Sequence, residues 1–248
     1  VVEHDDRAPV GTFVVDTPLD VIGVVTLGES AAHHARVKRL VEGDRVRVTD
    51  GAGQMGRGDI TAIRRGSMEV TLETLESVPR PYAIHLRVPI GDRERMLWLA
   101  EKASELGATT WQAVRFKRSA SVSPRGEGVA FGEKTRARMA GALEQSGGAW
   151  MPRLLPEVSV HELAVAAGEL PIMLQADGSP LLSLVPHASD ATPVLLFGPE
   201  GGMEPHERQH LEASGWKSAT LATSTLRFET AGIAGLAVLR AAYIQREG

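Results

Sequence analysis

Two segments late in the 248-residue chain carry residue types suited to holding a small ligand through the main chain. The first is Phe197-Gly198-Pro199-Glu200-Gly201-Gly202, which follows the apolar run Val194–Phe197 and reads as a buried strand delivered into a glycine-rich turn. Its glycines can take positive φ and let a ligand approach the backbone closely, Pro199 stiffens the turn, and Glu200 adds an acceptor. The second is Leu226-Arg227-Phe228-Glu229-Thr230-Ala231, the opening of a long apolar helix, whose first amides lack intrahelical partners. Arg227 and Glu229 stand two apart and point to different sides, so cation and anion serve different partners. Thr230-Ala231-Gly232 is small enough for a neighbouring chain or helix to pack closely. The turn has no Lys followed by Ser or Thr at the Walker spacing, which argues against a P-loop.

The elements that must position these segments read as strands alternating with helices from Tyr82 onward. Strands are expected at Tyr82–Ile90, Thr109–Phe116, Leu170–Gln175, Val194–Phe197 and Ser218–Leu221. Helices are expected at Glu94–Leu106, at Glu133–Ser146, from Pro205, and from about Glu229 to Arg246. This alternation predicts an α/β fold with a mainly parallel sheet covered on both faces, and such sheets bind ligands beyond the carboxyl ends of their strands. Residues 11–78 differ. Arg45–Thr49 and Met68–Leu75 alternate with period two, glycines separate the candidate strands, and a short helical stretch lies around Ala31–Leu40. Pro79-Arg80-Pro81 resists both helix and central strand, so the expected division is a β-rich domain over 1–78 and an α/β domain over 79–248.

Two other motifs match known signatures. Gly51-Ala52-Gly53-Gln54-Met55-Gly56 fits the dinucleotide fingerprint, but that fingerprint needs a helix next, and Arg57–Ile63 continues as a strand. The glycines therefore read as a hairpin turn. His206-Glu207-Arg208-Gln209-His210 fits the H-E-x-x-H zinc pattern. Glu204-Pro205 places it in a first helical turn with polar intervening residues, and no obvious third ligand follows, so a zinc hydrolase through His206 and His210 is an alternative reading only.

Composition limits the rest. A 43% hydrophobic content supports a sizeable core, and the absence of cysteine excludes disulfides, thiolate metal sites and cysteine nucleophiles. No window approaches a membrane span, and Val1–Arg7 is acidic, so a cytoplasmic protein is expected. The net charge of −4 is uneven: residues 81–138 carry eleven Lys and Arg against six Asp and Glu, while both flanks are acidic. A basic middle is compatible with a locally held polyanion, and its densest part is Arg115-Phe116-Lys117-Arg118 with Arg125 beyond.

Taken together, Gly198–Gly202, Leu226-Arg227-x-Glu229-Thr230-Ala231, Glu101-Lys102-Ala103-Ser104-Glu105-Leu106-Gly107 and Glu144-Gln145-Ser146 resemble the RsmE family of ribosomal RNA uridine N3-methyltransferases. His33–Arg39 through Gly43-Asp44 and Asp50-Gly51 resemble that family's PUA-like RNA-binding domain. The resemblance covers nearly the whole chain. It departs from the family pattern at Leu221-Ala222-Thr223-Ser224-Thr225, which lacks a glycine and a basic residue, and at Gly147-Gly148, where an Arg is common.

The resemblance implies a SPOUT-class fold with a C-terminal trefoil knot, a topology otherwise almost forbidden. It implies a homodimer with its active site near the subunit interface. S-adenosylmethionine would be held by the knot loops, here Leu174 and Gln175, Phe197, Gly198, Glu200, Gly201 and Gly202, and Leu221, Ala222, Thr223, Leu226 and Arg227. The substrate would be one uridine of small-subunit ribosomal RNA, in an assembled 30S particle, without a metal. Arg227 is the expected stabiliser of charge on the uracil edge, with Glu229 or Glu200 orienting it. Arg36, Lys38 and Arg39 in the first domain, and Arg115, Lys117 and Arg118 in the second, are the expected RNA contacts. A non-catalytic RNA-binding protein of the same fold is the further alternative.

Overall fold

A computed structural model of the chain describes residues 8–121, 123–185 and 191–244. The acidic segment Val1–Arg7 and the end of the last expected helix, Gln245 and Arg246, lie outside the described residues. The chain forms two compact units, Val1–Arg80 with Ala140–Met151, and Pro81–Met139 with Pro152–Gly248.

The first unit is built on five strands: β1 (Thr12–Val14), β2 (Gly23–Leu27), β3 (Arg45–Thr49), β4 (Gln54–Ile63) and β5 (Met68–Ser77), in the order β1-β3-β4-β5-β2. Only β1 and β3 run parallel; the other pairs are antiparallel. Helix α1 (Glu29–Val37) contributes the buried Ala31, Ala32 and Ala35. They pack with Phe13, Val46, Val48, Ile60, Met68, Val70 and Leu72, the inward set that period-two alternation requires. The glycine triplet is a hairpin turn between β3 and β4. Gly51 and Gly53 have φ of 67° and 106°, and Asp50 Oδ1 accepts from the amides of Ala52 and Gln54. Gly53 also leaves room for an indole, since a Cβ there would lie 2.2 Å from Trp150 Cζ2.

The second unit holds six strands, all parallel: β6 (His85–Pro89), β7 (Thr110–Arg115), β8 (Arg153–Ser159), β9 (Glu169–Pro180), β10 (Thr192–Phe197) and β11 (Lys217–Thr220). Their order is β11-β9-β10-β6-β7-β8. The helices are α2 (Arg93–Glu105), α3 (Val129–Ser146), whose residues from Ala140 belong to the first unit, the single turn α4 (Leu181–Leu184), α5 (Pro205–Ala213) and α6 (Phe228–Ile244), with 3-10 turns at Lys117–Ser121 and Val160–Glu162. Strand β10 is buried on both faces. Val194 and Leu196 pack with Leu211 of α5 and Trp216, whereas Leu195 and Phe197 face α6 at Gly235 and Gly232. The small residues expected to permit close packing do so here: a Cβ at Gly232 would stand 2.6 Å from Phe197 Cζ.

Several elements differ from those read in the sequence, α3 among them, which starts at Val129 and not Glu133. The first strand of this unit begins at His85, not Tyr82. Strand β8 is an additional edge strand, where Pro156 is tolerated because one side needs no donor. Strand β9 continues to Pro180, and its pairing with β11 jumps between Ser218↔Met173 and Ala219↔Ser179. That jump bulges Leu174–Gly178 out of the β9–β11 ladder. It is compact because Gly178 lies against the β11 backbone, where a Cβ would be 2.5 Å from Ala219 N.

Candidate functional site

The bulge of β9, the turn after β10, the segment after β11 and the start of α6 meet around one cavity of about 580 Å³ at the carboxyl end of the sheet. This is where a parallel α/β sheet exposes loop backbone to ligands. Leu174 and Gln175 come from the bulge. Phe197, Gly198, Glu200, Gly201 and Gly202 come from the turn. Leu221, Ala222, Leu226 and Arg227 come from the segment entering α6. Thr223 is exposed in that segment and does not line the cavity.

The glycine turn is closed by the Gly202 amide donating to Pro199 O at 2.8 Å, with Gly202 at φ 73°. Gln175 Nε2 reaches Met203 Sδ at 3.2 Å, linking bulge to turn. The Glu200 carboxylate accepts from the Asp92 amide at 3.1 Å. Asp92 is the N-cap of α2, its own side chain accepting from the Arg95 amide at 3.0 Å. Glu200 therefore anchors the turn to a helix N-terminus, where an anion is favoured.

Arg227 is exposed at the cavity wall, and its guanidinium has no side-chain partner among the described residues. Neither expected carboxylate pairs with it. Glu229 is buried in the first turn of α6, with Oε1 3.9 Å from Arg95 Nε and Oε2 without a hydrogen-bond partner. Arg95 lines the cavity and was not expected from the sequence, where it looks like one more surface cation of α2. Its place in the first turn after β6, at a strand's carboxyl end, was the available signal. Ala176, Met203, Thr220, Ser224 and Phe228 also lie on the wall.

The basic residues separate into distinct settings. Arg36, Lys38 and Arg39 are exposed around the end of α1, Arg36 donating to Arg65 O at 3.1 Å and Arg39 standing at φ 59°. In the same unit His34 Nδ1 is 2.9 Å from Glu144 Oε2, while Glu144 Oε1 accepts from the Val14 amide. Arg115 pairs with Glu127 and Glu157, and Arg125 shares Glu127, which together hold the Glu127 carboxyl below the usual carboxylate range. Lys117 is exposed. Arg118 turns toward the glycine turn, donating from Nε to Glu204 Oε1 at 2.8 Å and from Nη1 to Gly201 O at 2.6 Å.

His206 and His210 project from the first two turns of α5, and both rings meet His161, with centroids 5.7 Å and 5.0 Å away. Spacing along the chain carries no sign of this third histidine. Glu207 is buried, its two oxygens accepting from the amides of Lys117 and Glu204 at 2.7 and 2.8 Å, so it braces the helix start. Among the described residues no group of three His, Asp or Glu side chains is arranged to hold a metal ion. No helix among them is long and apolar enough to cross a membrane.

Comparison with known proteins agrees with this architecture. The chain is 27% identical over 237 residues to the ribosomal RNA small subunit methyltransferase E of Mycobacterium bovis, covering 90% of this chain and 88% of the relative. It is 28% identical over 226 residues to the protein of the same name from Synechocystis, covering 88% and 73%. The crystal structure of ribosomal RNA small subunit methyltransferase E from Neisseria gonorrhoeae, bound to S-adenosylmethionine, superposes with a TM-score of 0.82 at 24% identity, over 94% of this chain and 98% of that one. Residues 27–73 match the RNA methyltransferase PUA domain. Residues 78–240, the greater part of the chain, match the RNA methyltransferase domain, and the chain belongs to that family of RNA methyltransferases.

Proposed function

We propose that the chain transfers a methyl group from S-adenosylmethionine to N3 of one uridine in the decoding region of small-subunit ribosomal RNA. It would act in the cytoplasm as a homodimer on an assembled 30S particle. The observation that carries the reading is the cavity joining the glycine turn to the Leu226-Arg227 segment, in a chain of the RNA methyltransferase family.

The cavity suits the cofactor. Its 580 Å³ falls within the roughly 300–1,000 Å³ of sites for ligands of this size. Leu174, Phe197, Leu221, Leu226 and Ala231 give apolar wall, and Gly198, Gly201 and Gly202 bring main chain to the surface. S-adenosylmethionine supplies an electrophilic methyl group on a sulfonium, so the protein's part is alignment and exclusion of water. Uridine N3 lies on a pairing edge, so the base has to be unpaired to reach the site. Arg227 stands at the wall with its charge uncommitted and stabilises the negative charge that develops on the uracil edge. Glu229, with Arg95, fixes the first turn of α6 and so the position of Arg227 two residues before it. Glu200 holds the glycine turn against the start of α2. Arg36, Lys38, Arg39, Arg115 and Lys117 engage phosphates, which makes affinity fall with salt.

The test is methylation in vitro. Purified protein, S-adenosylmethionine and 30S particles from cells lacking the protein are incubated, and the RNA is digested and analysed by mass spectrometry. A new 3-methyluridine in the decoding region is the expected result. Methylation at another atom or in another RNA would replace the substrate assignment, and tight cofactor binding with no transfer would point to a non-catalytic role.

A further inference from the structure

A second cavity, of about 410 Å³, opens at the carboxyl ends of β7 and β8. Its lining includes the exposed Arg115, Lys117, His161 and His206 and the half-buried Arg125 and Ser159. Along the turn into α5 only Glu204 and Pro205 separate its residues from those of the first cavity, which end at Met203. Arg118 crosses this boundary, bonded to Gly201 and Glu204, with Lys117 immediately before it.

The lining combines cationic side chains with flat rings. Arg115 and Arg125 share the Glu127 carboxylate and Arg115 also meets Glu157, so with Lys117 three cations stand against the carboxylates of Glu127, Glu157 and the lining Glu207. The Lys117 ammonium forms no salt bridge among the described residues, and its charge acts on Glu204 only at longer range. The Glu207 carboxylate is occupied on both oxygens by amides. His161 and His206 lie nearly parallel, with 16° between planes, and both residues are exposed. A cation and a hydroxyl for a phosphate, next to imidazole faces for a base, match the chemistry by which proteins hold unpaired nucleotides.

We infer that this second cavity is a subsite for one unpaired nucleotide of the RNA substrate, flanking the nucleotide that receives the methyl group. The inference rests on the methyltransferase reading. Lys117 and Ser159 take the phosphate, and the base stacks on an outer face of the His161–His206 pair.

The test uses a fluorescein-labelled single-stranded oligoribonucleotide carrying one uridine, read by anisotropy across a salt series, with S-adenosylmethionine affinity measured in parallel by calorimetry. Lys117→Gln is expected to weaken RNA binding and to lower the log–log salt slope by about 1. His161→Ala with His206→Ala is expected to weaken it about tenfold with the slope unchanged. Cofactor affinity stays at the wild-type value in each. Wild-type RNA affinity in both variants overturns the subsite and leaves the methyltransferase reading standing. Loss of cofactor affinity in them makes the cluster part of the first cavity's scaffold and also overturns it. A wild-type protein that binds S-adenosylmethionine but no RNA brings down both readings.

Discussion

Arg118 donates from Nε to Glu204 Oε1 at 2.8 Å, and this bond straps the basic 3-10 turn after β7 onto the glycine turn after β10. The second arm of the same guanidinium reaches Gly201 O, and a Cβ at Gly201 would already lie 3.1 Å from Arg118 Cβ. Arg118→Ala is therefore expected to cost cofactor binding about 1 kcal/mol, or about fivefold in Kd, a modest value because the pair is exposed. Lysine should not restore it, since an ammonium lacks the fork that serves both acceptors. Calorimetry with S-adenosylmethionine reads the loss. An RNA-affinity defect with unchanged cofactor Kd would return Arg118 to the RNA contacts.

The strap also has a pH signature. The hydrogen bond from Arg118 holds Glu204 below its ordinary value of 4.5, so the folded state binds this proton less readily than the unfolded state. The stabilisation is fully present above the unfolded value and is lost as pH falls through the lowered folded one. The difference in melting temperature between wild type and Glu204→Gln should be constant at neutral pH and shrink only below about pH 4.5. A difference that already changes well above pH 4.5 would assign the dependence to a group other than Glu204.

Much of this architecture was legible because burial writes its period into the chain. β3 and β5 alternate, and β10 is a continuous apolar run because helices cover both its faces. β8 was hidden because Pro156 and Glu157 interrupt any pattern on an exposed edge strand. The far end of β9 was hidden because Asp177-Gly178-Ser179-Pro180 has the composition of a turn. At the site, glycine turns announce themselves locally. Arg95 and His161 do not, because only the folding of the sheet brings them to residues far along the chain.

Arg95 and Glu229 offer a stability test of their own. Glu229 is buried, Oε2 has no partner, and the nearest cation is Arg95 at 3.9 Å. Arg95→Ala should destabilise the protein by about 1–2 kcal/mol by leaving that charge uncompensated. The double variant Arg95→Ala/Glu229→Met should recover most of the loss, since it removes the charge along with its partner. Urea midpoints of the four proteins give the coupling. Simple additivity would mean that the two side chains do not interact.

Arg227→Ala addresses the chemistry. The guanidinium lines the cavity but supports no other described side chain, so its removal should leave folding close to wild type. Methyl transfer to 30S particles should fall by about 10²-fold in kcat, as expected for loss of a positioned charge stabiliser. Wild-type kcat with saturating cofactor would sink the assignment.

Gly178 tests whether the β9 bulge shapes the cavity. A Cβ there would lie 2.5 Å from Ala219 N and 2.6 Å from Ala219 Cα, which are backbone atoms that cannot rotate away. Gly178→Ala must push β9 and β11 apart, at a cost of about 2–3 kcal/mol. The same displacement moves Leu174, Gln175 and Ala176 relative to Ala219 and Thr220, all on the cavity wall, so S-adenosylmethionine affinity should fall even where the protein remains folded. Gly132→Ala is the matched control. It lies in α3 with nothing within 4 Å of its added Cβ, and alanine should stabilise that helix by about 0.5–1 kcal/mol without touching cofactor affinity. If Gly178→Ala destabilises the fold yet binds S-adenosylmethionine as tightly as Gly132→Ala, the bulge is a scaffold feature and the cofactor does not rest on it.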